Sequence, residues 1–127
     1  MREPRPLVAV VDDEESVRVA LARVLRGASY EVATFGSGPE FLLSLQTCLP
    51  ECVVLDFQMP EMTGREVQQA LRHATFQIPV LILTAHDYPQ LREACLAEGA
   101  ADYFVKPLRR RLLLGAVGAA IRNTRSR

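Results

Sequence analysis

Lysine is almost missing from this sequence. Fourteen of the fifteen basic residues are arginine, and Lys106 stands alone. An arginine-rich codon bias explains the excess, and the one lysine retained points to work that needs a compact point charge and not a planar fork. Net charge is also lacking: fifteen acidic residues balance fifteen basic ones. This removes the usual electrostatic drive toward nucleic acid or an acidic membrane, so the domain itself is expected to bind neither. No apolar run is long enough for a bilayer. Leu112 to Ile121 falls well short of the ~20 residues required. No apolar signal region follows the N-terminal Met-Arg-Glu-Pro-Arg-Pro, and a cytoplasmic location is expected. Cysteine is scarce and odd in number. Cys48, Cys52 and Cys95 sit among apolar neighbours, and with only His73 and His86 nearby in type they form no zinc spacing. They are expected to fill core, not to pair.

What remains is a chain of 127 residues, 49% hydrophobic and 24% charged, which fits one ordinary domain over 1–127. Short apolar runs alternate with helical stripes. Leu7–Val11 is a run of the kind buried on both faces, and it ends in Asp12-Asp13. A helix over Glu15–Arg26 follows, with Val17, Ala20, Leu21, Val24 and Leu25 inward and Gly27 as its stop. Tyr30–Phe35 alternates as a second strand. Ser37 to Glu40 and Thr63 to Glu66 each match a capping box opening a helix. Cys52–Leu55 is a third strand leading into Asp56, and Ile78–Leu83 a fourth leading into Thr84. Asp87 is placed to cap the fourth helix, which carries Leu91, Ala94, Cys95 and Leu96 and stops at Gly99. Ala101–Val105 is a fifth strand before Lys106-Pro107, and a last helix spans Arg109–Asn123. Five such units call for an α/β fold, a flavodoxin-like (βα)5 doubly wound parallel sheet in strand order 2-1-3-4-5.

In such sheets ligands bind beyond the carboxyl ends of the strands. Those ends carry Asp12 and Asp13, Asp56, Thr84 and Lys106. Each residue alone has a plain reading: a helix cap, a turn residue, a satisfied hydroxyl, a solvated lysine. Their joint occurrence is the informative signal. Three carboxylates in one crevice repel and call for a cation, and all-oxygen ligation suits Mg2+. A carboxylate can also attack phosphorus, with Lys106, Thr84 and the metal taking the charge of the equatorial oxygens.

Val10 to Glu14, Val54 to Pro60, Leu83-Thr84-Ala85 and Val105-Lys106-Pro107 resemble the four signatures of response regulator receiver domains in two-component systems. The likeness spans Leu7 to about Arg122, and Ser16 to Leu25 with Tyr30 to Leu42 is similar to the FixJ-type group in particular. The resemblance implies Asp56 as phosphoacceptor and Asp12, Asp13, Asp56 and the Gln58 backbone carbonyl as Mg2+ ligands. It implies Thr84 and Lys106 as phosphate-binding groups, and Thr84 with Tyr103 as the switch, Tyr103 turning inward as Thr84 moves. Gln58 and His86 match positions that tune dephosphorylation, although His86 read alone is an exposed loop residue. A sensor histidine kinase is the implied partner, and a helix-turn-helix output domain, controlling transcription, is implied outside this chain. The domain would assist only its own phosphorylation and dephosphorylation. Arg122 to Arg127 resembles the beginning of a linker. Phe57, Glu61 and Leu108 depart from the common pattern.

The last helix is apolar around more than one face. Either a homodimer forms through the fourth helix, fifth strand and fifth helix, or Gly115 and Gly118 let a small-residue helix pack tightly. A haloacid-dehalogenase-type phosphatase is the competing enzyme reading, but it carries its nucleophile in Asp-x-Asp on the first strand, where this chain has adjacent acids. A dinucleotide site lacks its glycine fingerprint. A degenerate docking module would not retain all of Asp13, Asp56, Thr84 and Lys106.

Overall fold

The computed structural model describes residues 4–74 and 77–126. Met1 to Glu3, part of the stretch read for a signal region, and Arg127, the end of the linker expectation, lie outside the described residues. Five units alternate strand and helix: β1 (Leu7–Val11), α1 (Glu15–Gly27), β2 (Glu31–Phe35), α2 (Gly38–Ser44), β3 (Cys52–Asp56), α3 (Gly64–Arg72), β4 (Val80–Thr84), α4 (Leu91–Ala97), β5 (Asp102–Val105) and α5 (Arg110–Arg125). All neighbouring strands are parallel, in the order β2-β1-β3-β4-β5. The expected architecture and strand order are those observed.

Strand alternation divides the interior into two cores. Ala9, Val11, Val53, Leu55 and Ile82 face Phe41 of α2, Val67 and Leu71 of α3 and Cys95 of α4. Val8, Val10, Val54, Leu81 and Leu83 face Leu21 and Leu25 of α1 and Leu113, Val117 and Ile121 of α5. Both faces of the three central strands are therefore dry, which is why their sequences read as unbroken apolar runs. Burying such side chains, at ~25 cal/mol per Å2 of apolar area, is what holds the sheet rigid behind the polar residues at its rim.

Several local readings shift, each for a physical reason. Tyr30 N–H closes α1 by donating to Leu25 O at 3.1 Å, so β2 begins at Glu31. The left-handed residue after α1 is Ser29, with φ 72°, and not Gly27, which stays within the helix. Ala22 is buried where Ala20 was expected, and Ala20 is exposed. Pro79 has no N–H for a ladder, and β4 begins after it. Thr63 and Glu66 form the expected capping box. At α2, Ser37 accepts from Glu40 N–H, but the Glu40 carboxylate reaches one residue further, to Gly36 N–H at 3.1 Å. Asp87 does not cap α4: the N-cap is Gln90, in the left-handed region at φ 70°. Gly99, at φ 103°, ends that helix as expected. Cys52 and Cys95 are buried, whereas Cys48 is exposed; all three are free.

The two readings of the last helix separate here. A Cβ added at Gly115 would meet nothing within 4 Å, and at Gly118 the nearest atom is 3.2 Å away on the mobile end of Arg122. Neither glycine marks a close helix approach. The helix continues through Arg125, which pairs with Glu51 by two contacts of 2.8 Å, so residues 122–125 are helical. Among the described residues no helix is long and apolar enough to cross a membrane.

Candidate phosphoacceptor and metal site

Strand register brings the polar rim together. Val11 lies opposite Leu55, so the residues that follow, Asp12 and Asp56, are side by side at the ends of β1 and β3. Asp56 lies opposite Leu83, which puts Thr84 one step beyond it on β4. Thr84 lies opposite Val105, and the Lys106 N–H donates to Thr84 O at 2.7 Å. Each chemical group thus leaves a buried strand within a residue of its neighbour.

Carboxylate oxygens of Asp12, Asp13 and Asp56 lie within 4.8 Å of one another. Asp12 and Asp56 are buried and Asp13 is exposed, so the cluster has a closed side and an open side. Asp12 serves two ends at once. Its Oδ1 accepts from Glu14 N–H at 2.9 Å, the local cap, while Oδ2 accepts no well-angled hydrogen bond. That oxygen lies 2.9 Å from Lys106 Nζ, which is also 3.3 Å from Glu14 Oε1 and 3.6 Å from Asp56 Oδ1. Among the described residues, a single ammonium thus faces this acidic cluster.

Burial, together with the Asp12 charge, drives the Asp56 carboxyl up to about 7 against the pull of Lys106 and the Gln58 N–H, and a hydrogen bond with Asp13 adds to the rise. Burial works against the charge on Lys106, but its contacts with Asp12, Asp56 and Glu14 outweigh that and leave its pKa raised. Such a cluster is under-compensated: one cation for several anions. The donor set is hard and all-oxygen, and open on the Asp13 side. These features fit a divalent cation such as Mg2+.

Gly64 makes the acceptor strand end possible. A Cβ there would come within 2.7 Å of Asp56 O and Phe57 Cα, so any side chain would push α3 away from the turn that carries Asp56. Phe57, next to the acceptor, packs partly on the core; Glu61 is exposed, and Leu108 packs against the α1–α5 side.

Thr84 is fully buried. Its hydroxyl contacts Gln58 Oε1 at 2.6 Å and His86 O at 2.9 Å, and accepts from His86 N–H at 3.1 Å. His86 therefore enters the site through its backbone, and it is exposed, as its plain reading had it. Tyr103 is already inward, 3% exposed, with its phenol donating to Asp87 Oδ1 at 2.7 Å. Two residues of the site escaped the sequence reading. Glu14 reaches Lys106, and Asp87 holds Tyr103 across sixteen positions. The charge of Glu14 beside Asp12-Asp13 was a usable signal, and nothing local marks Asp87.

Residues 8–118 match the family described as response regulator receiver domain. The transcriptional regulatory protein TdiR of Thauera aromatica is 41% identical over 114 residues, covering 90% of this chain and 50% of that protein. The response regulator protein TodT of Pseudomonas putida is 36% identical over 123 residues, covering 96% of this chain and 54% of that one. The chain thus spans about half the length of these curated relatives. Among solved structures, a response regulator receiver protein from Burkholderia phymatum superposes with a TM-score of 0.82 at 42% identity, covering 92% of this chain and 95% of that one.

Proposed function

This chain belongs to the response regulator receiver domains, a signalling family, and on that footing we propose that Asp56 is its phosphoacceptor and that Asp12, Asp13, Asp56 and the Gln58 carbonyl hold Mg2+. Receiver domains bind Mg2+ as a class and are phosphorylated by sensor kinases in two-component systems. The single observation that carries the assignment is the meeting of Asp12, Asp13, Asp56 and Lys106 at adjoining strand ends.

The chemistry is a phosphoryl transfer. An Asp56 oxygen attacks phosphorus, the bond from phosphorus to the donor breaks, and the donor leaves with that electron pair. Mg2+ supplies charge neutralisation for the incoming group. Lys106, now shared among Asp12, Glu14 and Asp56, is near enough to turn one contact over to a phosphoryl oxygen. Thr84 donates to another. The new group brings close to two negative charges, and only an arrangement with Lys106 and Thr84 drawn to it satisfies them. Reversal by water makes the domain a switch acting on itself and not an enzyme acting on others. Gln58 and His86 stand at the mouth of the site, where they would tune that reversal.

The relatives' names include transcription regulators, which supports control of transcription through an output domain outside this chain. Leu96 on α4, Val105 on β5 and Leu112 on α5 are large apolar residues at 36%, 43% and 52% exposure. They support a homodimer through that face. Sedimentation velocity with and without a phosphoryl mimic tests it, and a monomer in both states rejects it. For the acceptor, treatment with acetyl phosphate and Mg2+ should give an adduct that hydroxylamine removes, as an acyl phosphate requires. An adduct stable to hydroxylamine rejects Asp56.

A further inference from the structure

One side chain joins the loop after β3 to the loop after β4. Gln58 Oε1 is 2.6 Å from Thr84 Oγ1, and Gln58 Nε2 donates weakly to His86 O at 3.5 Å. The His86 carbonyl fixes the amide orientation: exchanging the two ends would set Oε1 against another carbonyl oxygen. Thr84 has one hydroxyl proton and two candidate acceptors, Gln58 Oε1 at 2.6 Å and His86 O at 2.9 Å. Of its two acceptor lone pairs, one is taken by the His86 N–H at 3.1 Å. The shorter contact takes the proton, and Thr84 is fully buried, so water does not compete for it.

We propose that Gln58 is a positioning residue that holds the Thr84 hydroxyl proton in the unphosphorylated chain, so that a phosphoryl oxygen on Asp56 can bind Thr84 only by displacing Gln58 Oε1. The inference rests on the reading of Asp56 as acceptor and concerns how that site is kept at rest. It is distinct from any effect of Gln58 on attacking water, because it acts before the phosphoryl group arrives. The exchange is built to be reversible. Gln58 is a half-buried neutral amide that can swing toward solvent, and a charged phosphoryl oxygen is the stronger acceptor. Only the side chain takes part, so its removal leaves the Gln58 carbonyl in place.

The test is the affinity of the whole chain for beryllofluoride, a phosphoryl mimic, at saturating Mg2+. Gln58→Met keeps the length of the side chain and removes the acceptor. It should tighten beryllofluoride binding roughly five-fold, the value of one net hydrogen bond. In a Thr84→Val background the same change should alter binding by less than about two-fold, because there is no proton left to hold. Unchanged or weaker binding in Gln58→Met, or an equal gain without the Thr84 hydroxyl, overturns the proposal. If the wild-type chain takes up no beryllofluoride, the acceptor reading fails instead. The metal-free NMR spectrum then decides: Thr84 should keep one side-chain rotamer in wild type and average between rotamers in Gln58→Met. An identical Thr84 rotamer in both overturns the proposal on that route.

Discussion

Tyr103 and Asp87 are bound by a 2.7 Å hydrogen bond that holds the ring inside the protein. The carbonyl of Tyr103 is held as well, by Arg92 at 3.2 Å, which ties α4 to β5. An inward turn of Tyr103 on activation was the expectation from family likeness. In this structure the ring is inward, tied through Asp87 to the segment from Ala85 to Gln90. That segment is exposed from end to end.

Breaking this tie should cost measurable stability. Asp87→Ala leaves the buried phenol without its acceptor, and a loss of about 1–2 kcal/mol is expected. Chemical denaturation checks it, with Tyr103→Phe in parallel. The double variant should lose little more than Tyr103→Phe alone, because the two residues share one interaction.

The same bond sets an alkaline limit. Burial, and then the hydrogen bond and charge of Asp87, raise the Tyr103 phenol above its ordinary value, and burial pushes the Cys52 thiol up to about 12. Both groups keep their protons in the fold and lose them more readily when unfolded. Their stabilising contribution is therefore complete below the unfolded values, near 8.5 for a thiol and 10 for a phenol, and is lost as pH rises past them. Thermal melts should fall above about pH 9, and Cys52→Ala should flatten part of that fall.

The acidic cluster should cost the metal-free fold stability. With Asp12, Asp13 and Asp56 oxygens within 4.8 Å, Asp56→Asn removes one charge from a crowded, buried set. A gain on the order of 2 kcal/mol is expected without divalent ions. Added Mg2+ should stabilise wild type and have little effect on the variant. Melting temperatures with and without Mg2+ read both effects.

Lys106→Met should act in the opposite sense. It withdraws the ammonium that lies 2.9 Å from Asp12 and 3.6 Å from Asp56. A loss of about 2–3 kcal/mol is expected without metal, partly recovered with Mg2+. Lys106→Arg should not restore the wild-type behaviour, since the wide guanidinium cannot occupy a point among three carboxylates.

Gly64→Ala tests the backbone under the acceptor. Its Cβ would meet Asp56 O and Phe57 Cα at 2.7 Å, and neither can move without shifting β3 or α3. A destabilisation of about 2 kcal/mol is expected, with slower modification of Asp56. Gly115→Ala, where no atom lies within 4 Å, should be neutral or stabilising and serves as the control.

The fold was legible because its strongest signals are local. Runs such as Val8 to Val11 and Cys52 to Leu55 read as strands dry on both faces, and the helices between them leave one handedness and few strand orders. The rim was legible for the same reason: each polar residue is the first one after such a run. What the sequence hid lies in contacts made across the chain. Asp87 looks like a helix cap by spacing, yet its carboxylate is taken by a tyrosine from the next strand. Gln90 carries a left-handed turn that no side-chain preference announces. Cys48 stands in apolar company along the chain, but the end of α2 turns it outward. The tie between Gln58 and Thr84 joins two loops twenty-six residues apart and needs both strand ends in register first.

The central claim is that the pocket formed by Asp12, Asp13, Asp56, Thr84 and Lys106 accepts a phosphoryl group on Asp56. Intact-mass measurement after incubation with acetyl phosphate tests it most directly. Wild type should gain the mass of one phosphoryl group with Mg2+ and none with chelator, and Asp56→Ala should gain none in either. A wild-type chain that stays unmodified with Mg2+, or an Asp56→Ala chain that is modified equally, would contradict it.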